Sequence, residues 1–163
     1  MKLLPPFVLV LVSLSVAHPA IVHASDTQRQ HEVARRGAQV MPFDLEQTTH
    51  LFQPLNDGGV QRVTAKDQKN DQQIRLIRTH LEEEAARFGH GDFSDPKKIH
   101  GDDMPGVAEL SRGAARIRVN YTELPNGAEI RYATTDTALI AAIHQWFHAQ
   151  LHDHGHHATT SGH

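Results

Sequence analysis

The sequence predicts an α+β domain in which a hairpin–helix (ββα) unit occurs twice. Three observations predict it. Stretches of period-two alternation flank two turn motifs, Asn56-Asp57-Gly58-Gly59 and Leu124-Pro125-Asn126-Gly127. Each pair of stretches is followed by apolar residues at the three-and-four spacing of an amphipathic helix. The halves also share a faint likeness, Gln61-Arg62-Val63-Thr64-Ala65-Lys66-Asp67 against Ile130-Arg131-Tyr132-Ala133-Thr134-Thr135-Asp136. That alignment lays His80 and Glu84 over His144 and His148. The expected architecture is an antiparallel sheet of about four strands with two main helices on one face.

The N-terminus reads differently from the rest. Lys2 precedes an apolar run over residues 7–17, and Val22-His23-Ala24 fits the small-x-small rule for signal cleavage before Ser25. The run is too short for a transmembrane anchor. Residues 1–24 are thus expected to be a signal peptide, and the mature chain to be a soluble periplasmic or secreted protein with no stable membrane insertion. Residues 25–40 are polar and read as a flexible lead-in, where a short helix would be marginal alone. A single domain is expected over residues 41–152, and a His-rich tail over 153–163.

Order begins near Met41-Pro42-Phe43, where Phe43, Leu45 and Gln47 alternate with Asp44, Glu46 and Thr48. The strand runs on through His50 and Phe52, and Pro54 ends it or marks an edge. Asn56-Asp57-Gly58-Gly59 tolerates positive φ and returns the chain through Val60, Arg62 and Thr64. A helix is expected from Asn70 or Asp71, either of which can cap it, to about Phe88. Ile74, Ile77, Leu81, Ala85 and Phe88 form its buried stripe, and Gly89 suits its C′ position. Residues 90–106 read as a Gly/Pro loop anchored by Phe93, Ile99 and Met104, and residues 107–112 as a short helix. Ile117, Val119 and Tyr121 alternate as a third strand. Asn126-Gly127 turns into a fourth, with Ile130 and Tyr132 on one face. Thr134, Thr135 and Asp136 offer the cap of the last helix, whose stripe is Leu139, Ile140, Ile143, Trp146, Phe147 and Leu151.

Composition narrows the function. The 163-residue chain has no cysteine, which excludes disulfides, thiolate metal sites and cysteine nucleophiles. Loss of Lys2 with the signal leaves a net charge of about −4, which argues against nucleic acid as a partner. Histidine is the outlier, at 14 residues, of which only His18 and His23 leave with the signal. Neutral imidazole is the commonest protein ligand for zinc, copper and nickel.

His144, His148 and His152 are spaced four apart beside the apolar stripe of the last helix. Two imidazoles at i, i+4 can share one ion, so His144 and His148 are the leading ligands. His80 with Glu84 repeats the geometry with a hard oxygen. His50 lies in a strand beside Thr48 and Thr49. His100 and Met104 share the Gly/Pro loop, where a thioether would favour copper. Asp102 and Asp103 could orient an imidazole there. His152, His154, His156, His157 and His163 make the tail, which suits weak and adaptable capture of divalent ions or a pH-responsive surface.

The segments MPFDLEQTTHLF, GDFSDPKKIHGDDMPG, LPNGAEIRYATTD and IHQWFHAQLHDHG together resemble a family of small exported bacterial proteins commonly labelled aspartate carbamoyltransferase. The resemblance covers most of residues 41–157 and implies export, a shared fold and, from the label, carbamoyl transfer to aspartate. The transferase of that name resembles a larger two-domain α/β enzyme with a Ser-Thr-Arg-Thr-Arg phosphate loop. Thr134-Thr135-Asp136 lacks those arginines.

No G-x-S-x-G elbow is present, and His80 lacks the His-Glu-x-x-His pattern of metalloproteases. The residues therefore favour a periplasmic copper- or zinc-binding protein, acting in buffering or handover, with a metal ion as its partner and any protein partner undefined. The alternatives are the transferase of the label, a metal-dependent hydrolase, and a pH-responsive protein-binding module.

Overall fold

The computed structural model describes residues 20–161, with side chains from Asp26 onward. Residues 1–19 of the expected signal, and His163 of the expected tail, lie outside the described residues. Among the described residues no helix is long and apolar enough to cross a membrane.

The two hairpins form where the turn chemistry places them. Strands β1 (Thr48–Leu55) and β2 (Gly58–Ala65) pair antiparallel, as do β3 (Arg118–Leu124) and β4 (Gly127–Ala133). The hairpins join through an antiparallel β2–β4 pairing that sets Val63 opposite Ala128. Gly127 is required there, because a Cβ would sit 2.0 Å from the Val63 carbonyl oxygen. Alternation puts Thr48, His50, Phe52, Val63, Ala65, Ala128, Ile130 and Tyr132 on one buried face. The opposite face carries the Arg62–Glu129 ion pair.

Helix α2 (Asp71–Gly89) is capped by Asn70, whose side chain accepts from the Gln73 N–H. Helix α5 (Thr137–His154) is capped by Asp136, which accepts from Ala138 and Leu139. Each crosses to the other hairpin: α2 packs on β2, β3 and β4, and α5 on β1 and β2. Exchanging the two halves carries the order β3-β4-β2-β1 into itself, which is the symmetry a hairpin–helix repeat would give. Trp146, Phe147, Ile143, Ile77 and Leu81 fill the layer between sheet and helices and are almost wholly buried.

The α+β class holds, and four expectations are corrected. The sheet has five strands and is mixed, because β5 (Ala158–Thr159) adds parallel to β1. More than two helices build the domain. The segment read as a loop contains α3 (Ser94–His100), and α4 (Val107–Gly113) follows it. Gly106 starts α4 at φ +80°, where a Cβ would meet the Ala142 carbonyl oxygen at 2.1 Å. Residues 25–40 are no flexible lead-in. They lie in α1 (Ala20–Val40), which packs on α3 and α5. Among its described side chains one, Val33, is deeply buried, so its order comes from tertiary contacts rather than from its own periodicity. Residues 153–161 of the expected tail are part of the fold. Asp153, His154 and His157 are buried, and the chain turns back through Gly155–His157 to β5.

Candidate metal centre

A cavity of about 40 Å3 lies between the sheet and α2, α3 and α5. At roughly 10–15 Å3 per water it holds a few waters or one ion with its ligands. His50, His80, Glu84, His100, Gln150 and His154 line it, together with Phe43, Phe52, Phe88 and Trp146. Four imidazoles widely separated in the chain therefore meet at one buried place.

His50 reaches the cavity because strand alternation turns it inward with Thr48 and Phe52. The Thr48 hydroxyl donates to the Leu45 carbonyl at 3.1 Å. Its oxygen is then the acceptor for His50 Nε2–H, across a long 3.4 Å. That assigns the proton to Nε2 and leaves the Nδ1 lone pair free. Burial pushes the His50 pKa down to about 3, reinforced by His157, His80 and His100.

His100 ends α3 and is almost fully buried. Its Nδ1–H donates to Asp153 Oδ2 at 2.9 Å, so Nε2 carries the lone pair. Asp153 is held in turn by Arg29 of α1, through Nε and Nη2 at 2.5 Å each. Burial opposes the Asp153 charge, yet bonds from His100, Arg29 and His152 hold its pKa below the usual carboxylate range. An imidazole fixed by a buried carboxylate is the arrangement that orients metal-ligating histidines.

His154 closes α5. Its ring stacks on His50 at 5.2 Å between centroids and meets His100 edge-on at 5.1 Å. Burial and the neighbouring imidazoles hold its pKa well below the ordinary value. His80 packs edge-on against Phe43 at 5.6 Å, and burial lowers its pKa also. One turn along α2, Glu84 is pushed up to about 8 by burial, then by the Asp95 charge and a hydrogen bond to it. At neutral pH His50, His80 and His154 thus face the cavity as uncharged imidazoles, and Glu84 as a carboxyl held largely protonated.

Two buried polar atoms on its wall, Trp146 Nε1 and Gln150 Oε1, have no hydrogen-bond partner among the described residues. Such atoms cost about 1–3 kcal/mol each unless a ligand or water satisfies them. The donors stand around the cavity rather than drawn together. Among the described residues, the one set of three whose donor atoms all lie within 4.8 Å of one another is Glu46, His156 and His157, at the surface.

The structure thus sorts the expected residues. It brings His50, His80, Glu84, His100 and His154 together. His144 is engaged elsewhere: its Nε2 lies 2.9 Å from both the Leu55 and Gly58 carbonyls, so it donates to the end of the first hairpin. His148 and His152 are exposed and off the cavity. Met104, expected as a thioether ligand, is instead a buried core residue away from the cavity wall. Asp102 and Asp103 are exposed, and Asp153 takes the orienting role expected of them.

Sequence reasoning missed Asp153, Gln150 and Arg29. A signal for the first two existed: Trp146, Gln150, Asp153 and His154 recur at i, i+4, i+7 and i+8. Arg29 gave none, because its partner lies 124 residues away.

Comparisons with protein-family models, with curated proteins and with solved structures find no match to this chain.

Proposed function

We propose that this chain is an exported transition-metal-binding protein that holds one copper or zinc ion in the buried cavity, for buffering or handover. His50 Nδ1, His100 Nε2 and His154 would be the ligands, with His80 or Glu84 completing the set. The observation that carries this reading is the His100–Asp153–Arg29 chain, which fixes a buried imidazole beside two others with a lone pair left to offer. Asp153 would raise the basicity of His100 and hold its orientation.

The donor chemistry narrows the ion. Imidazole with an optional carboxylate suits Zn(II) and Cu(II). The chain has no thiolate; the Met104 thioether lies off the cavity, whereas the Met41 thioether lines it and would suit Cu(I). The donors must draw inward, since nitrogen ligands bind zinc at about 2.0–2.1 Å. Loading therefore draws together side chains that stand spread around the cavity.

The test is metal analysis of untagged protein purified without a metal column, with calorimetric titration by Zn(II) and Cu(II). One retained ion per chain, lost in His100→Ala/His154→Ala, supports the reading. An unchanged affinity in that variant overturns it. Carbamoyl transfer to aspartate is assayed on the same samples. Activity that survives metal removal would favour the transferase implied by the resemblance.

A further inference from the structure

A second group of donors stands just outside the cavity. Glu46 projects from the single turn Leu45–Gln47, and His156 and His157 from the turn Gly155–His157. His157 Nε2 lies 3.2 Å from Glu46 Oε1, and the two imidazole rings are 3.8 Å apart between centroids. His157 Nδ1 is buried and has no hydrogen-bond partner.

The fold fixes this group. β5 follows the turn directly and pairs His50 with Ala158, which ties the turn to β1. Gly155 takes φ +53°, and a Cβ there would lie 2.8 Å from the Gln30 side chain, so the turn sits tightly against α1. A surface pocket of about 220 Å3 opens beside it, lined by Gln30, His31, Glu46, His156, His157 and His154. His154 also lines the buried cavity, so it borders both pocket and cavity.

We propose that Glu46, His156 and His157 form an outer site for a divalent transition-metal ion, which loads the buried cavity past His154. The loading role rests on the inner site proposed above. A ligand set of two imidazoles and one carboxylate, open to water, binds such ions and releases them faster than a closed site does. The step is ligand exchange alone: bonds from the ion to Glu46, His156 and His157 break as bonds to inner imidazoles form.

Trp146 gives the readout, because it is the only tryptophan, is fully buried and lines the inner cavity. Cu(II) is mixed with untagged protein in a stopped-flow instrument and Trp146 quenching is followed, with bound copper counted at equilibrium. Glu46→Gln/His156→Ala alters two exposed side chains, so folding is preserved. The wild type is expected to take two ions. The variant should take one, with the same inner affinity and loading slowed at least tenfold. The inner variant His100→Ala/His154→Ala should keep one ion without the quenching. Loading of Glu46→Gln/His156→Ala at the wild-type rate overturns the proposal, as does an equal copper count. Copper that binds the wild type without quenching Trp146, and is lost with Glu46 and His156, overturns the loading role and the inner site together. It would leave the outer site standing alone.

Discussion

Glu84 and the buried histidines oppose one another in their effect on stability, and a Glu84→Gln substitution should expose the balance. His50 has its pKa pushed down to about 3 from 6.5, and His154 is held well below 6.5. Both are depressed on folding, so the unfolded chain takes up protons first as pH falls through 6.5. Between pH 7.5 and 5.5 the His50 site then costs about 1 kcal/mol, and His154 acts with the same sign. Glu84 has the opposite sign. Its pKa rises from 4.5 to about 8, so the folded chain holds the proton that the unfolded chain releases. The stability Glu84 lends is fully present below pH 4.5 and is lost as pH rises through 8. Over the same two pH units it gains roughly 2–3 kcal/mol on acidification. His80 and His157 are lowered in the same sense as His50, so the metal-free wild type should lose stability between pH 7.5 and 5.5, but less than a chain without the Glu84 carboxyl. Glu84→Gln keeps the shape and a donor for Asp95 but cannot titrate, so it should lose roughly 2–3 kcal/mol more than the wild type over that range. Urea unfolding followed by circular dichroism at four pH values, with chelator present, measures both slopes. Parallel curves for wild type and Glu84→Gln would show that Glu84 is not held protonated in the cavity.

The remaining predictions concern single contacts. Asp153→Ala strands the His100 Nδ1–H in the interior and removes the partner of Arg29. Arg29 is about half exposed, which limits its share, so a loss of about 2–4 kcal/mol is expected in urea unfolding. Zn(II) affinity of the same variant should fall roughly 10- to 100-fold by calorimetry. His144→Ala removes the donor to the Leu55 and Gly58 carbonyls and should cost about 1–2 kcal/mol, while metal stoichiometry stays at the wild-type value. Gly106→Ala drives a Cβ against the Ala142 carbonyl at a positive φ, and thermal unfolding should show a destabilisation of at least about 2 kcal/mol.

Much of the fold was legible because its signals are local. Asn56-Asp57-Gly58-Gly59 and Asn126-Gly127 fix both hairpins within a few residues, and the period-two alternation selects which face is buried. Asn70 and Asp136 cap the two long helices as their residue types require. What stayed illegible depends on contacts distant in the chain. α1 is weakly amphipathic, and it is held by Val33 in the core and by Arg29 on Asp153. β5 is two residues long, and it forms only because β1 offers an open edge beside it.

The site shows the same division on one helix. Periodicity singles out His144, His148 and His152, spaced four apart on α5. With about 100° per residue, Trp146, Gln150 and His154 stand about 200° round the helix from that ridge. The apolar stripe left both flanks eligible, because it says which face is buried and not which polar neighbour is buried with it. His154 faces inward because Gly155 reverses the chain and His50 pairs with Ala158, which draws the end of α5 onto β1. Without that closure His154 would be a surface residue at a fraying helix end. Its burial, unlike the helix that carries it, is decided by a strand more than 100 residues away.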